Sequence, residues 1–133
     1  MEGIEKVCAF LLDAGTYYLA TVDGDQPRVR PFGAVAEFEG RLYIVTNNQK
    51  DVYQQMQKNP KIEISGMANG KWIRLSAEAV RDDRFEARKA MLDANPSLRG
   101  MYSEDDGKVE VLYLQNATAV ICSFTEAPVT YQF

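Results

Sequence analysis

The chain begins with apolar positions at the spacing of one helix face. Ile4, Val7 and Leu11 recur at intervals of three and four residues, and Gly15 follows as a C-terminal stop signal. Residues at this spacing lie on the same side of an α-helix. The pattern therefore predicts an amphipathic helix from Glu2 to Ala14.

The next third of the chain is rich in β-forming residues. Three strands are predicted at residues 17–22, 28–37 and 41–46, separated by the turn signals Asp23-Gly24 and Glu39-Gly40. Short turns join antiparallel strands, whereas parallel strands need long crossover connections. We therefore predict an antiparallel meander.

The second half of the chain contains two further helices and four more strands. Asn47 or Asn48 is expected to cap a helix that runs to Lys58, and residues 82–94 form the third helix. The strands are predicted at 61–65, 71–81, 109–114 and 119–124. With about seven strands, short helices and no repeat or linker, the chain is mainly β (α+β). We predict one domain over residues 1–133, an antiparallel β-barrel with helices packed outside it.

Composition excludes several classes of protein. The chain has 133 residues, 46% hydrophobic and 26% charged, and a net charge of −4 without a basic block, so we expect a packed core and no nucleic-acid partner. No apolar run reaches the roughly 20 residues that cross a bilayer. The first residues lack the cationic start of a signal peptide, so we expect a soluble cytoplasmic protein that binds no membrane. With no histidine and two cysteines, the sequence predicts no metal site.

Two arginines mark the first candidate site. Arg28 and Arg30 fall on one side of their predicted strand, and the apolar Phe32 continues that side. Two guanidiniums on an apolar face are costly unless an anion meets them or the register shifts. Pro31 and Gly33 are typical of a bulge, which would instead turn both arginines to solvent. Both interpretations are open at the level of sequence.

The second candidate site is the segment from Thr46 to Asp51. Lys50 in the first turn of a helix opposes the helix dipole, unless an anion is bound there. Free N–H groups, the Thr46 hydroxyl and the Lys50 ammonium are suitable partners for such an anion. In the alternative interpretation, Lys50 is solvated and Asp51 compensates its charge. With an anion present, Arg30 and Lys50 would lie at opposite ends of one elongated, partly apolar pocket.

Three segments in this order resemble the pyridoxamine 5′-phosphate oxidase-like family of FMN-binding split β-barrel proteins. They are Arg28 to Phe32, Leu42 to Lys50 and Trp72 to Ala79. The resemblance covers nearly the whole chain and looks closest to the short branch that contains the nitroimidazole-resistance flavoproteins. It implies a split barrel of six or seven strands, FMN as the cofactor, and a homodimer with two sites at its interface. It also implies reduction of a small-molecule substrate, with NAD(P)H or another reductant as the electron donor.

The resemblance assigns residues to the cofactor. Those expected around the flavin ring are Arg28, Val29, Arg30, Pro31, Phe32, Val45 and Thr46. Lys50, with Asn48 and Gln49 nearby, would hold the 5′-phosphate. Trp72 matches a position that reaches the flavin across the two-fold interface; its alternative is packing in the core or between subunits.

Departures from the family pattern limit what the resemblance implies. Gln49 stands where the true oxidases carry a second basic residue, and the chain lacks their C-terminal Trp and Arg motif. The histidine reported near the flavin in the nitroimidazole-resistance branch is also missing. We therefore expect a flavin-dependent reductase that is not a true pyridoxamine phosphate oxidase, and we name no catalytic residue. The alternatives are a deazaflavin-dependent reductase, a non-catalytic flavin carrier, sensor or stress protein, and an interaction module without a ligand.

Overall fold

The computed structural model describes residues 2–133, and in this range it contains three α-helices, one 3₁₀ segment and eight strands. The helices are α1 (Glu2–Ala14), α2 (Asp51–Lys58) and α3 (Phe85–Ala94), and the 3₁₀ segment is Pro96–Gly100. The strands are β1 (Tyr17–Asp23), β2 (Gln26–Phe32), β3 (Val35–Phe38), β4 (Arg41–Asn47), β5 (Lys61–Ala68), β6 (Lys71–Arg81), β7 (Val109–Cys122) and β8 (Val129–Gln132). None of the helices in residues 2–133 combines the length and apolar character that crossing a membrane demands.

All eight strands belong to one antiparallel sheet. Seven of them follow the order β2-β1-β5-β6-β7-β4-β3, and β8 pairs with the second half of β7. The first half of β7 pairs with β4, from Asn47 opposite Val109 to Tyr43 opposite Tyr113. The sheet curves into a barrel that stays open between β2 and β3. The predicted mainly β, split-barrel fold is therefore confirmed.

The main core lies between α1 and the sheet. The helix buries Ile4, Val7 and Leu11 against β3 and β5, and each of these residues is at most 3% exposed. A second apolar cluster lies under α3 and includes its residues Ala87 and Met91. The apolar stripe that predicted α1 is the face that the helix buries, and its predicted bounds are confirmed.

The strand predicted at 28–37 is two strands. β2 ends at Phe32 and pairs with β1, whereas β3 begins at Val35 and pairs with β4. The chain crosses the opening of the barrel at Gly33 and Ala34, where the buried Tyr17 hydroxyl donates a hydrogen bond to the Ala34 carbonyl at 2.7 Å. The predicted meander is therefore correct for the hairpins β1–β2 and β3–β4. It is wrong in expecting one continuous strand to pair with both β1 and β4.

The predicted start of α2 is also wrong. Asn47 stays in β4, and its side-chain oxygen accepts a hydrogen bond from the Gln49 backbone N–H at 3.0 Å. This Asn side chain closes a turn instead of capping the helix. Helix α2 begins three residues later than the second candidate cap, at Asp51, with Lys50 in the extended N-cap position.

Several other boundaries differ from the prediction. Helix α3 begins at Phe85 instead of residue 82, and the strands predicted at 109–114 and 119–124 are the single strand β7. A bulge replaces the expected turn within it: Asn116 has a φ of 51°, and the register shifts opposite Ser76 and Glu78 of β6. The short β8 and the 3₁₀ segment were not predicted.

A buried carboxylate joins the sheet to the segment before α3. The Asp82 side chain is 7% exposed; it accepts hydrogen bonds from the Tyr43 hydroxyl at 2.6 Å and from the Arg84 guanidinium at 3.0 Å. The Arg84 guanidinium, assisted by the Tyr43 hydroxyl, holds the pKa of Asp82 at about 2 in spite of its burial.

This carboxylate makes the stability of the fold depend on pH. The pKa of Asp82 is lower in the folded chain than its ordinary 3.8, so ionised Asp82 adds about 2 kcal/mol to the free energy of unfolding above pH ~4. That contribution disappears as the pH falls from about 4 to about 2. Urea unfolding across this interval should show the loss in the wild type and a flatter profile in Asp82→Asn. The exposed Asp25→Asn is the control and should retain the wild-type profile.

Candidate functional site

Two cavities meet at Lys50, where β4 passes into α2. The first, of about 320 Å³, lies between the end of β2, the end of β4 and the 3₁₀ segment. The second, of about 500 Å³, lies between β2 and the start of α2. We call the first the apolar cavity, after Pro31, Phe32, Val45 and Leu98 in its wall, and the second the cationic cavity.

The sheet side of the apolar cavity contains four residues that were predicted to surround a ring. Pro31 and Phe32 are the last two residues of β2, before the interruption between β2 and β3. Val45 and Thr46 come from β4. The Phe32 ring packs on Tyr17, with 6.0 Å between centroids. These four residues thus line a space beside the opening of the barrel.

The Thr46 hydroxyl in this wall has no hydrogen-bond partner. Thr46 is 4% exposed, and its Oγ1 is the buried side-chain polar atom without a partner among residues 2–133. Leaving such a group unsatisfied costs about 1–3 kcal/mol. A polar ligand atom that reached this hydroxyl from the apolar cavity would supply the missing partner and remove this cost.

The 3₁₀ segment and the residues that flank it form the wall of the apolar cavity opposite β2 and β4. Its lining residues are Asn95, Ser97, Leu98, Met101 and Tyr102. Asn47 Nδ2 donates a hydrogen bond to the Tyr102 oxygen at 2.9 Å, which ties this wall to the end of β4. This wall was not predicted from the sequence, although Pro96 could have indicated it, because proline favours the first position of a helical turn.

The cationic cavity contains Arg28, Arg30 and Lys50, together with the carboxylates of Asp23 and Asp51. Arg28 pairs with Asp23 at 3.1 Å, and both side chains are about half exposed. The Lys50 side chain is exposed and makes no salt bridge within the described residues. Lys50 is thus solvated, as one interpretation expected, but it is not paired with Asp51. It is a free cation that borders both cavities.

Arg30 occupies a different environment from Arg28. Its guanidinium donates hydrogen bonds to the Leu19 carbonyl at 3.2 Å, to Thr21 Oγ1 at 2.7 Å and to Gln55 Oε1 at 2.7 Å. Partial burial lowers the pKa of Arg30, while Asp51 opposes that shift, and the group stays charged. Only Arg28 points to solvent, so the interpretation in which a bulge turns both arginines to solvent is wrong for Arg30.

Three of the predicted residues line neither cavity. Asn48 turns away and donates hydrogen bonds to the Gly107 carbonyl at 2.8 Å and to Glu110 Oε2 at 3.1 Å. Gln49 is exposed in the turn before α2. Trp72 packs on Phe124 at the start of β6, with 5.0 Å between ring centroids. Val29, which was expected beside the ring, borders the cationic cavity.

The Gln55 amide is predicted to stabilise the cationic cavity. Gln55→Ala would remove an acceptor shared by the Arg30 guanidinium and the buried Thr21 hydroxyl. We expect the free energy of unfolding to fall by about 1–3 kcal/mol, because both donors lose a partner in a partly buried position. Urea unfolding measures the change, and the exposed Gln57→Ala on the same helix is the matched control. Equal stability of the two variants would contradict the prediction that Gln55 stabilises the fold through Arg30 and Thr21.

Comparison with protein families gives one match over most of the chain. A family model described as pyridoxamine 5′-phosphate oxidase matches residues 4–119. A search of curated proteins finds no significant match.

Solved structures provide further relatives. A NimC/NimA family protein from Clostridium acetobutylicum is 51% identical, with a TM-score of 0.97 over 99% of this chain and 93% of that chain. General Stress Protein 26 from Bacillus anthracis str. Sterne is 17% identical, with a TM-score of 0.77 over 100% of both chains. A heme binding protein from Mycobacterium smegmatis is also 17% identical, with a TM-score of 0.74 over 98% of this chain and 57% of that chain. At such low identity, the last two share the fold alone.

Proposed function

The chain belongs to the pyridoxamine 5′-phosphate oxidase family, and on that premise we propose that it binds FMN and uses it to reduce a small molecule. The observation that carries the proposal is the position of the free Lys50 cation between the apolar cavity and the cationic cavity. FMN has a flat ring with a polar edge at one end and a phosphate at the other, so its two ends suit these two environments.

Lys50 and Arg28 are the residues proposed to hold the phosphate. Lys50 has no carboxylate partner among residues 2–133, and Arg28 is only half covered by its surface ion pair with Asp23. The Arg30 guanidinium already donates hydrogen bonds to residues of β1 and α2. Its main contribution to phosphate binding is therefore a positive charge at a fixed position. The two carboxylates of this cavity weaken the attraction, as Gln49 in place of a second basic residue also does.

Thr46, Pro31 and Phe32 are the residues proposed to orient the ring. The Thr46 hydroxyl donates to its polar edge, while Pro31 and Phe32 cover apolar surface and exclude water. Bound FMN supplies the electron transfer itself. The lining of the apolar cavity, as far as residues 2–133 provide it, contains no carboxylate or histidine. The chain therefore contributes binding and electrostatics, and no general acid or base is assigned.

The Lys50→Ala variant should distinguish the contribution of the phosphate to FMN binding from that of the ring. Loss of one charge-assisted contact should raise the Kd for FMN by about 10- to 100-fold. The Kd for riboflavin, which lacks the phosphate, should stay unchanged. Flavin fluorescence titration measures both values, and Lys58→Ala at the other end of α2 is the matched control.

Absorbance of the wild-type protein after addition of excess FMN and desalting tests cofactor binding itself. Retained flavin bands at about one per chain are expected. A wild-type protein that retains no flavin would contradict the proposed binding of FMN. A Lys50→Ala variant that binds riboflavin and FMN equally more weakly would contradict the assignment of Lys50 to the phosphate. Haemin added in a parallel titration tests the ligand named for the Mycobacterium smegmatis structure; this chain has no histidine to bind its iron.

We further propose a second copy of this chain as the partner that covers the site. Tyr18, Val29 and Met67 are 51%, 68% and 67% exposed on β1, β2 and β5, the neighbouring strands of one end of the sheet. Pro31 lies opposite Tyr18 in the ladder, so this face is continuous with the lining of the apolar cavity. Exposed apolar patches of this kind are rare on monomers and mark interfaces. In such a homodimer, Trp72 would reach the flavin of the other subunit.

Tyr18→Lys should disrupt the dimer and FMN binding together. A charge buried in an apolar interface is costly, so light scattering should show a shift from dimer to monomer at the same protein concentration. The FMN affinity should fall in parallel, because the partner closes the site. Leu12→Lys, which changes an exposed apolar residue of α1, should remain dimeric. A Tyr18→Lys variant that stays dimeric with unchanged FMN affinity would be incompatible with this interface.

A non-catalytic flavin carrier, sensor or stress protein is the second candidate function. Among residues 2–133, no carboxylate or histidine lines the apolar cavity, and this lining is compatible with a non-catalytic role, as is the fold shared with General Stress Protein 26. Steady oxidation of NADH or NADPH by the FMN-loaded protein, with an added reducible substrate, distinguishes the two candidates. Turnover supports the reductase, whereas flavin binding without turnover supports the carrier.

A further inference from the structure

The Tyr102 hydroxyl has a free proton in the wall of the apolar cavity. Asn47 Nδ2 donates to its oxygen at 2.9 Å, and an amide nitrogen has no capacity to accept. Tyr102 has no acceptor for its own proton among residues 2–133, and the side chain borders the apolar cavity. The hydroxyl is therefore a donor without an acceptor.

The direction of this donor is fixed by the end of β4. The Gln49 backbone N–H donates to Asn47 Oδ1 at 3.0 Å, so the Asn47 amide must present its nitrogen to Tyr102. Asn47 is itself held in the sheet opposite Val109. The Asn47 amide thus occupies one side of the Tyr102 oxygen, and the hydroxyl proton of Tyr102 points away from that amide.

The segment that carries Tyr102 is also held in place. The Tyr102 backbone N–H donates to the Leu98 carbonyl at 2.9 Å. On the far side, Arg88 Nε donates to the Glu104 carbonyl at 2.6 Å, and Arg99 forms a salt bridge with the Glu104 carboxylate at 3.1 Å. A hydroxyl on such a wall is pre-organised and needs little ordering when a ligand binds.

Thr46 and Tyr102 both line the apolar cavity, and each carries an uncharged hydroxyl donor. Thr46 Oγ1 is buried without a partner, and the Tyr102 proton lacks an acceptor. Given the proposed binding of FMN, on which this inference rests, we propose that Tyr102 is a further flavin-binding residue. Its hydroxyl donates a hydrogen bond to the polar edge of the ring and stabilises the reduced form over the oxidised form. A fixed donor interacts most strongly with the state that carries more negative charge, which is the reduced ring.

The test compares FMN in its two redox states on Tyr102→Phe. The Kd for oxidised FMN should change by less than about threefold, since Lys50 and Arg28 remain. The Kd for dithionite-reduced FMN should rise about tenfold more than that for oxidised FMN. A tenfold selective loss corresponds to a reduction potential of the bound flavin about 30 mV lower, which spectroelectrochemistry measures directly.

Tyr113→Phe is the matched control for loss of a tyrosine hydroxyl. Tyr113 packs on Tyr43 and under Arg41, and it lines neither cavity. This variant should match the wild type in both redox states. Thermal unfolding of both variants verifies that they fold.

The outcomes separate this inference from the proposed function. A wild-type protein that binds no FMN overturns both. If wild type binds FMN and Tyr102→Phe weakens both redox states equally, Tyr102 only shapes the wall, and the inference is wrong. An unchanged potential in Tyr102→Phe overturns it in the same way and leaves FMN binding intact.

Discussion

The break between β2 and β3 is the constraint on which the candidate site depends. One short segment, Gly33-Ala34, carries the chain from one free margin of the sheet to the other, and the Tyr17 hydroxyl holds it there through the Ala34 carbonyl. A barrel closed at this point would fill its interior with side chains. Because it stays open, Pro31 and Phe32 line a cavity together with the end of β4, and the 3₁₀ segment forms the opposite wall.

The polar groups around this opening make sense as one arrangement. Arg30 links β2 to β1 and α2 through Thr21 and Gln55, which sets the start of α2 beside the opening and brings Lys50 to the junction of the two cavities. In the free chain an unpaired cation gains no ion-pair energy, and the unsatisfied Thr46 hydroxyl is destabilising. Such groups are common where a protein binds a ligand, because the ligand provides the missing partners.

The sequence predicted the elements well where one physical cause acts alone. The helical spacing of Ile4, Val7 and Leu11 gave α1 its bounds, and alternation located most strands. Pro31 and Gly33 indicated an irregularity at this point, but they could not reveal that the strand changes partner. Asn47 suits both a helix cap and a turn, and the choice depends on the turn bond to Gln49. Three motifs in order predicted the family correctly. Local sequence could not reveal Tyr102, because its contact with Asn47 joins residues 55 positions apart.

The strands that border the opening have one neighbour each. β2 pairs only with β1, and β3 only with β4, whereas β7 is paired along both sides. Amide protons of singly paired strands exchange through small local openings, and those of doubly paired strands need the loss of much more structure. Pro27 and Pro31, which flank Arg28 and Arg30 in β2, also deter another sheet from pairing with this strand. The amide protons of β2 and β3, which border the opening, should therefore exchange faster than those of β7.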